Sequence, residues 1–101
     1  MSESEIQRDI IDMLLVHPKV VISWITTTGT VKRRGSFIRM GYPGISDIVG
    51  MLRDGRFFAI EVKTPSGVAT EAQHDFLNTV ALCGGVSGIA RSVHEAMEIL
   101  K

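Results

Sequence analysis

The chain has 101 residues, enough for one domain and too few for two. It contains no apolar run long enough to cross a bilayer, and its acidic first residues lack the apolar core of a secretory signal. The single cysteine, Cys83, excludes an intrachain disulfide and a cysteine-based zinc cluster. We therefore expect one domain over residues 1–101, no association with a membrane, and a reducing, cytoplasmic setting.

The charges are unevenly distributed, although 11 basic and 11 acidic residues give a net charge of zero. Residues 13–46 include no acidic residue and five basic ones: Lys19, Lys32, Arg33, Arg34 and Arg39. A neutral total is thus compatible with a basic surface that contacts phosphates. A solvated loop explains the same residues equally well.

The first predicted element is a helix, because Ser2 and Glu5 form a capping box and apolar residues recur behind them at helical spacing. A strand follows over residues 20–27, which are rich in β-branched side chains, and we expect Trp24 to lie in the core. The basic stretch at residues 29–35 is predicted to be a loop or an irregular hairpin.

A β-hairpin is predicted next, over residues 45–63, with its turn at Gly55. If the connecting loop has three residues and Gly55 is left-handed, Asp47 lies directly opposite Glu61 on the neighbouring strand. A two-residue loop would shift the register by one position and pair Asp47 with Val62 instead. The sequence favours the first arrangement and leaves the second open.

The remaining chain is predicted to alternate helix, strand and helix. Thr70 and Gln73 form a second capping box, and the helix that they open ends at Gly84. A short strand at residues 86–90 precedes a last helix that begins with a third capping box at Ser92. This order predicts an α/β fold in which a mixed central sheet is flanked by helices, with a short helix at the C-terminus.

Three residues of the hairpin carry the candidate chemistry. Glu61 and Lys63 are two positions apart and share a strand face, which Asp47 joins in the three-residue register. Two carboxylates without a soft ligand favour Mg²⁺ or Mn²⁺, and a lysine beside them can stabilise negative charge or help to activate water. This set suits phosphodiester hydrolysis. The alternative, an exposed strand face and a turn aspartate, fits less well because Asp47 stands in an otherwise apolar run.

Two segments, GISDI at residues 44–48 and IEVK at 60–63, together resemble the Asp…Glu-x-Lys signature of the restriction-endonuclease-like nuclease superfamily. Three further segments are similar to the virus-type replication-repair nuclease (VRR-NUC) family: GYP at 41–43, PSGVATEAQ at 65–73 and EIQ at 5–7. The resemblance therefore extends over nearly the whole chain.

The resemblance implies an αβββαβ core, dependence on Mg²⁺ or Mn²⁺, and cleavage of branched DNA such as Holliday junctions or flaps. It also implies a stand-alone nuclease of phage type, acting as a homodimer in a bacterial host. Lys63 becomes the catalytic lysine, and Gln73 matches a position near the active site. The metal is assigned to oxygen atoms of four residues: Asp47, Glu61, Val62 (through its main-chain carbonyl) and Glu5.

Several of these residues also have a purely structural explanation. Glu5 and Gln73 each complete a capping box, and we expect Cys83 to be buried and inert. Five residues are candidate DNA contacts: Lys32, Arg33, Arg34, Arg39 and Tyr42. Two other functions remain open, namely a non-catalytic DNA-binding module with the same fold and a homodimeric structural protein without a nucleic-acid partner.

Overall fold

A computed structural model of the chain describes residues 1–26, 29–33 and 35–101, and leaves the side chains of residues 29–33 and 36–40 outside its description. The helices are α1 (Glu3–Val16), α2 (Glu71–Leu82) and α3 (Val93–Ile99). The strands are β1 (Val20–Ile25), β2 (Gly29–Arg33), β3 (Ser36–Met40), β4 (Ile48–Leu52), β5 (Phe57–Val62) and β6 (Val86–Ala90). None of the helices in these ranges is long and apolar enough to span a membrane.

Four strands form a mixed sheet in the order β1-β4-β5-β6. The pairs β1–β4 and β4–β5 are antiparallel, whereas β6 joins β5 in parallel after the crossover through α2. Strands β2 and β3 form a separate two-stranded hairpin, which is the second of the two predictions for the basic stretch. The α/β class, with a mixed sheet and three helices, is confirmed.

Capping determines where the helices begin. The capping boxes at Ser2 and Thr70 are both present, each with reciprocal hydrogen bonds between the cap and the third helical residue. At α3, one of the two hydrogen bonds of the predicted capping box is present. Ser92 caps the helix, but the carboxylate of Glu95 accepts the N–H of Arg91 at 2.7 Å instead of the N–H of Ser92.

The turn between β4 and β5 has the three-residue form that the sequence favoured. The N–H of Leu52 donates to the carbonyl of Arg56 at 2.9 Å, and the N–H of Gly55 donates back to Leu52 at 2.9 Å. Gly55 is left-handed, with φ at +88°, which a side chain would disfavour. This turn fixes the strand register and pairs Ile48 with Ile60.

The sheet buries a separate apolar cluster on each face. Residues of α1 and α3 pack with Phe58 and Ile60 on one face. On the other face, Leu77 and Val80 of α2 pack against the sheet, where they contact Ala59. Because side chains alternate along β5, Glu61 lies on the same face as Ala59, which is the face that α2 covers.

Two predictions of burial are wrong. Trp24 is 49 % exposed, because β1 is an edge strand and α2 contacts β5 and β6 rather than the β1 side of the sheet. Cys83 is also exposed. It is the C-cap of α2, beyond the turns that face the sheet, and its neighbour Leu82 is exposed as well.

Adjacent leucines in α1 offer a matched test of this core. Leu14 is 1 % exposed and Leu15 is 72 % exposed. We expect Leu14→Ala to lower the free energy of unfolding by about 2–5 kcal/mol, since it leaves a cavity. Leu15→Ala should change it by about 0.5 kcal/mol or less. Urea unfolding measures both, and equal losses would show that α1 packs through a different face.

Candidate active site

Asp47 immediately precedes β4 and is fixed by its neighbours on both sides. Its Oδ2 accepts the main-chain N–H of Val62 at 2.9 Å. On the opposite side, Thr26 donates its N–H to the carbonyl of Asp47 at 2.8 Å and its hydroxyl to the carbonyl of Ser46 at 2.7 Å. The carboxylate therefore has a defined position between β1 and β5. Sequence reasoning missed Thr26, because its role depends on the pairing of β1 with β4.

Glu61 lies on the central strand β5, next to Asp47, and is 1 % exposed. Its Oε2 accepts a hydrogen bond from Nε2 of Gln73 at 3.1 Å and lies 3.4 Å from Nζ of Lys63. Its Oε1 is buried, and no N–H or O–H group of the described residues reaches it. A buried carboxylate oxygen without a partner is costly, so this atom indicates a proton or a cation.

The surroundings of Glu61 favour its protonated form when no metal is bound. Burial is the largest cause. A hydrogen bond that the protonated Glu61 donates to Asp47, and the negative charge of Asp47, add to it. Together they raise the pKa of Glu61 to about 8, although the nearby charge of Lys63 acts in the opposite direction. A proton on Glu61 therefore relieves the repulsion between the two carboxyl groups, and a bound cation would relieve it in the same way.

Gln73 performs both of the roles considered for it. Its Oε1 accepts the main-chain N–H of Thr70 at 2.9 Å, which caps α2. Its Nε2 donates to Oε2 of Glu61 at 3.1 Å. One end of an amide accepts and the other donates, so the cap also determines which end faces Glu61. The structure thus brings Gln73 to the carboxylate pair, where the resemblance places it; a role in catalysis stays a prediction.

Lys63 follows β5 directly, and a turn packs over its side chain. The lysine side chain is 13 % exposed. A Cβ atom added to Gly67 would lie 3.4 Å from Cβ and Cδ of the lysine, so this glycine contacts the lysine stem. Arg91 donates a hydrogen bond to the carbonyl of Gly67 at 2.8 Å and holds the turn in place. No motif signals Arg91, because this contact requires the parallel pairing of β5 with β6.

Gly44 allows the turn before β4 to approach α2. Its φ is +79°, and a Cβ atom there would collide with the main-chain carbonyl oxygen of Ala72. Ala72 precedes Gln73, so this close approach places Asp47 near the start of the helix that reaches Glu61. The predicted turn at residues 41–44 therefore has a direct part in building the site.

The structure does not bring Glu5 to the carboxylate pair. The side chain of Glu5 accepts the N–H of Ser2 at 3.2 Å, as the capping box requires. Within the ranges that the structure describes, no three Asp, Glu, His or Cys residues are grouped to hold a metal ion. Asp47 and Glu61 are thus the acidic groups of this site. Val62, between Glu61 and Lys63 in the sequence, is buried, and its main-chain N–H donates a hydrogen bond to Asp47.

Of the five predicted DNA contacts, the structure describes the side chain of Tyr42. Lys32 and Arg33 belong to β2 and Arg39 to β3, where only the backbone is described, and Arg34 lies outside the described residues. Tyr42 is 65 % exposed, in the turn that leads to Asp47.

Comparisons with known proteins identify no relative. No family model matches the sequence, and searches of curated proteins and of solved structures find no significant match. The resemblance to virus-type replication-repair nucleases therefore rests on the motif residues.

The raised pKa of Glu61 predicts how stability depends on pH. In EDTA, the folded protein keeps this proton up to pH about 8, whereas an unfolded glutamate loses it near its ordinary value of 4.5. The contribution of Glu61 to stability is therefore full below that value and is lost as the pH rises to about 8. Glu61→Gln lacks this dependence.

Urea unfolding at pH 5 to 9 measures the difference between the two proteins. The stability of Glu61→Gln relative to wild type should increase up to pH about 8 and then level off. Parallel pH profiles would show that Glu61 is ionised in the folded protein.

Proposed function

We propose that this chain is a metal-dependent nuclease that hydrolyses phosphodiester bonds of DNA at Asp47, Glu61 and Lys63. One observation carries the proposal. The carboxyl group of Asp47, which directly precedes β4, lies beside that of Glu61 on β5, and a buried oxygen of Glu61 meets no donor among the described residues. When both groups are ionised, such a pair costs stability, whereas a hard cation between them compensates that cost.

The residues present fit such a cation. Asp47, Glu61 and the main-chain carbonyl of Val62 would hold Mg²⁺ or Mn²⁺ through oxygen atoms alone, which are the ligands that these ions prefer. A bound Mg²⁺ polarises a phosphoryl oxygen and lowers the pKa of a coordinated water. The carboxylate pair is close to the main-chain amide of Val62, which holds Asp47 in place.

Lys63 and Gln73 complete the arrangement. Nζ of Lys63 lies 3.4 Å from Glu61, so the ammonium group stands beside the place where a phosphate would meet the carboxylate pair. There it stabilises the negative charge that develops on phosphorus-bound oxygen in the transition state. Gln73 binds Oε2 of Glu61 and leaves Oε1 directed at the site.

The fold and the charge distribution support the proposal. Apart from the β2–β3 hairpin, helices and sheet strands follow in the order α-β-β-β-α-β before α3, the order expected of the restriction-endonuclease-like core. The hairpin carries basic residues, and we propose that it contacts the phosphates. Preference for branched DNA, a phage origin and a place in the host cytoplasm follow from the resemblance and belong to the same proposal.

A cleavage assay tests the activity. We expect wild type to cut end-labelled four-way junction or flap DNA in Mg²⁺ or Mn²⁺ and not in EDTA. Lys63→Ala should cut about 10²–10³-fold more slowly, because one charge-stabilising donor is lost, and should still bind DNA. Lys101→Ala is the matched control, since Lys101 pairs with Glu98 on the surface, with a side chain 74 % exposed.

Two outcomes of this assay would refute the nuclease. A folded wild type that binds DNA but cuts no substrate in either metal is a DNA-binding module. A protein that fails to retain DNA even at low salt has no nucleic-acid partner. Symmetric nicks across the junction would support a dimeric resolvase.

A homodimer is the second part of the proposal. Among the described strands, β1 pairs only with β4, so its other edge is open, and four of its apolar side chains are about half exposed. The four residues are Val21, Ile22, Trp24 and Ile25. An open apolar edge of this kind is a template for pairing with a second chain.

Sedimentation of charged variants tests the dimer. Trp24→Lys places a charge on the proposed interface and should convert a wild-type dimer into a monomer. Val68→Lys is the control, since Val68 is 81 % exposed in the loop before α2. A wild type that sediments as a monomer at every concentration would refute the proposed dimer. This result would not affect the proposed nuclease activity.

A further inference from the structure

A groove lies between the turn before β4 and α2. Its volume is about 590 Å³, within the range of roughly 300–1,000 Å³ of small-ligand sites. The turn contributes Tyr42 and Pro43, and α2 contributes one stripe of residues at helical spacing. That stripe consists of Ala72, Asp75, Phe76 and Thr79.

The groove and the proposed active site both adjoin the start of α2. Ala72 lines it and contacts Gly44, which is three positions before Asp47. The next residue of the helix, Gln73, is hydrogen-bonded to Glu61. Neighbouring residues of α2 therefore contact the groove and the carboxylate pair, which brings the two sites to the same end of the helix.

The lining of the groove has the chemistry of a site for a flat ring. The ring of Tyr42 is 65 % exposed and lies 6.0 Å from the ring of Phe76, with their planes inclined at 48°. An exposed aromatic ring provides a stacking surface for any nucleobase. Asp75 adds a carboxylate, which repels a phosphate but accepts a hydrogen bond from an exocyclic amino group. A base fits this combination, and the sugar–phosphate backbone does not.

We propose that this groove binds an unpaired nucleobase of the DNA strand that is cut. The base stacks on Tyr42, and Asp75 accepts a hydrogen from its amino group, so cytosine, adenine and guanine bind better than thymine. This proposal rests on the proposed function, and it explains how the nuclease would select among DNA structures. Only DNA with an unpaired base near the scissile phosphate fills both the groove and the carboxylate site.

Fluorescence of 2-aminopurine tests the groove separately from cleavage. The base is placed at the first unpaired position of a flap, or within the paired stem as a comparison, and binding is followed in Mg²⁺. A Lys63→Ala background slows cutting enough for binding to be followed. We expect the protein to quench the unpaired base by stacking on Tyr42, and to leave the paired base unchanged.

Two substitutions assign the quenching to Tyr42. Tyr42→Ala should abolish it and weaken flap binding by roughly 5- to 100-fold, without weakening duplex binding. Tyr42→Phe, which retains the ring, should retain the quenching. Leu82→Ala is the control on the same helix, since Leu82 is 87 % exposed and does not line the groove.

The outcomes separate the two proposals. Unchanged quenching and flap affinity in Tyr42→Ala would overturn the proposal that the groove binds a base, even if the wild type cuts DNA. Conversely, quenching that depends on Tyr42 would support the groove, even if the wild type cuts nothing and the nuclease is refuted. Equal loss of flap and duplex binding in Tyr42→Ala would also overturn it, because a general DNA contact would then explain the residue.

Discussion

The electrostatic conflict between Asp47 and Glu61 governs the organisation of this site. Two carboxyl groups on neighbouring strands repel each other, and burial of Glu61 increases the cost of its charge. The surrounding donors each reduce this cost. The amide of Val62 binds Asp47, while Gln73 and Lys63 both approach one oxygen of Glu61. These donors do not remove the cost of ionising Glu61, since burial and Asp47 still hold its pKa at about 8. A pair left in this state is suited to exchange a proton for a cation.

Two glycines set the geometry in which this conflict exists. Gly55 permits the tight three-residue turn, and the resulting register places Asp47 opposite Glu61. A shift of one residue would direct one of the two side chains to the opposite face of the sheet. Gly44 allows the preceding turn to touch α2 at Ala72. The position of the carboxylates thus depends on backbone conformation that only glycine adopts without strain.

Features set by nearby residues could be predicted from the sequence, and features set by distant ones could not. The cap at Ser2 and the turn at Gly55 involve residues a few positions apart, so their sequence patterns suffice. The contacts of Thr26 and Arg91 depend on which strands become neighbours, which no local pattern shows. The exposure of Trp24 has the same origin, because it depends on how far α2 extends across the sheet.

Gln73 links the start of α2 to the candidate site through a single side chain. The same amide caps α2 and binds Glu61, so the carboxylate adopts its position only where the helix begins correctly. Phe76, about one turn further along the same helix, lines the groove and packs against the core. If the proposed function is correct, selection of a DNA structure requires no moving lid. A substrate would then be accepted when its own shape places a phosphate at the carboxylate pair and an unpaired base in the groove, and a regular duplex would meet that condition only after distortion.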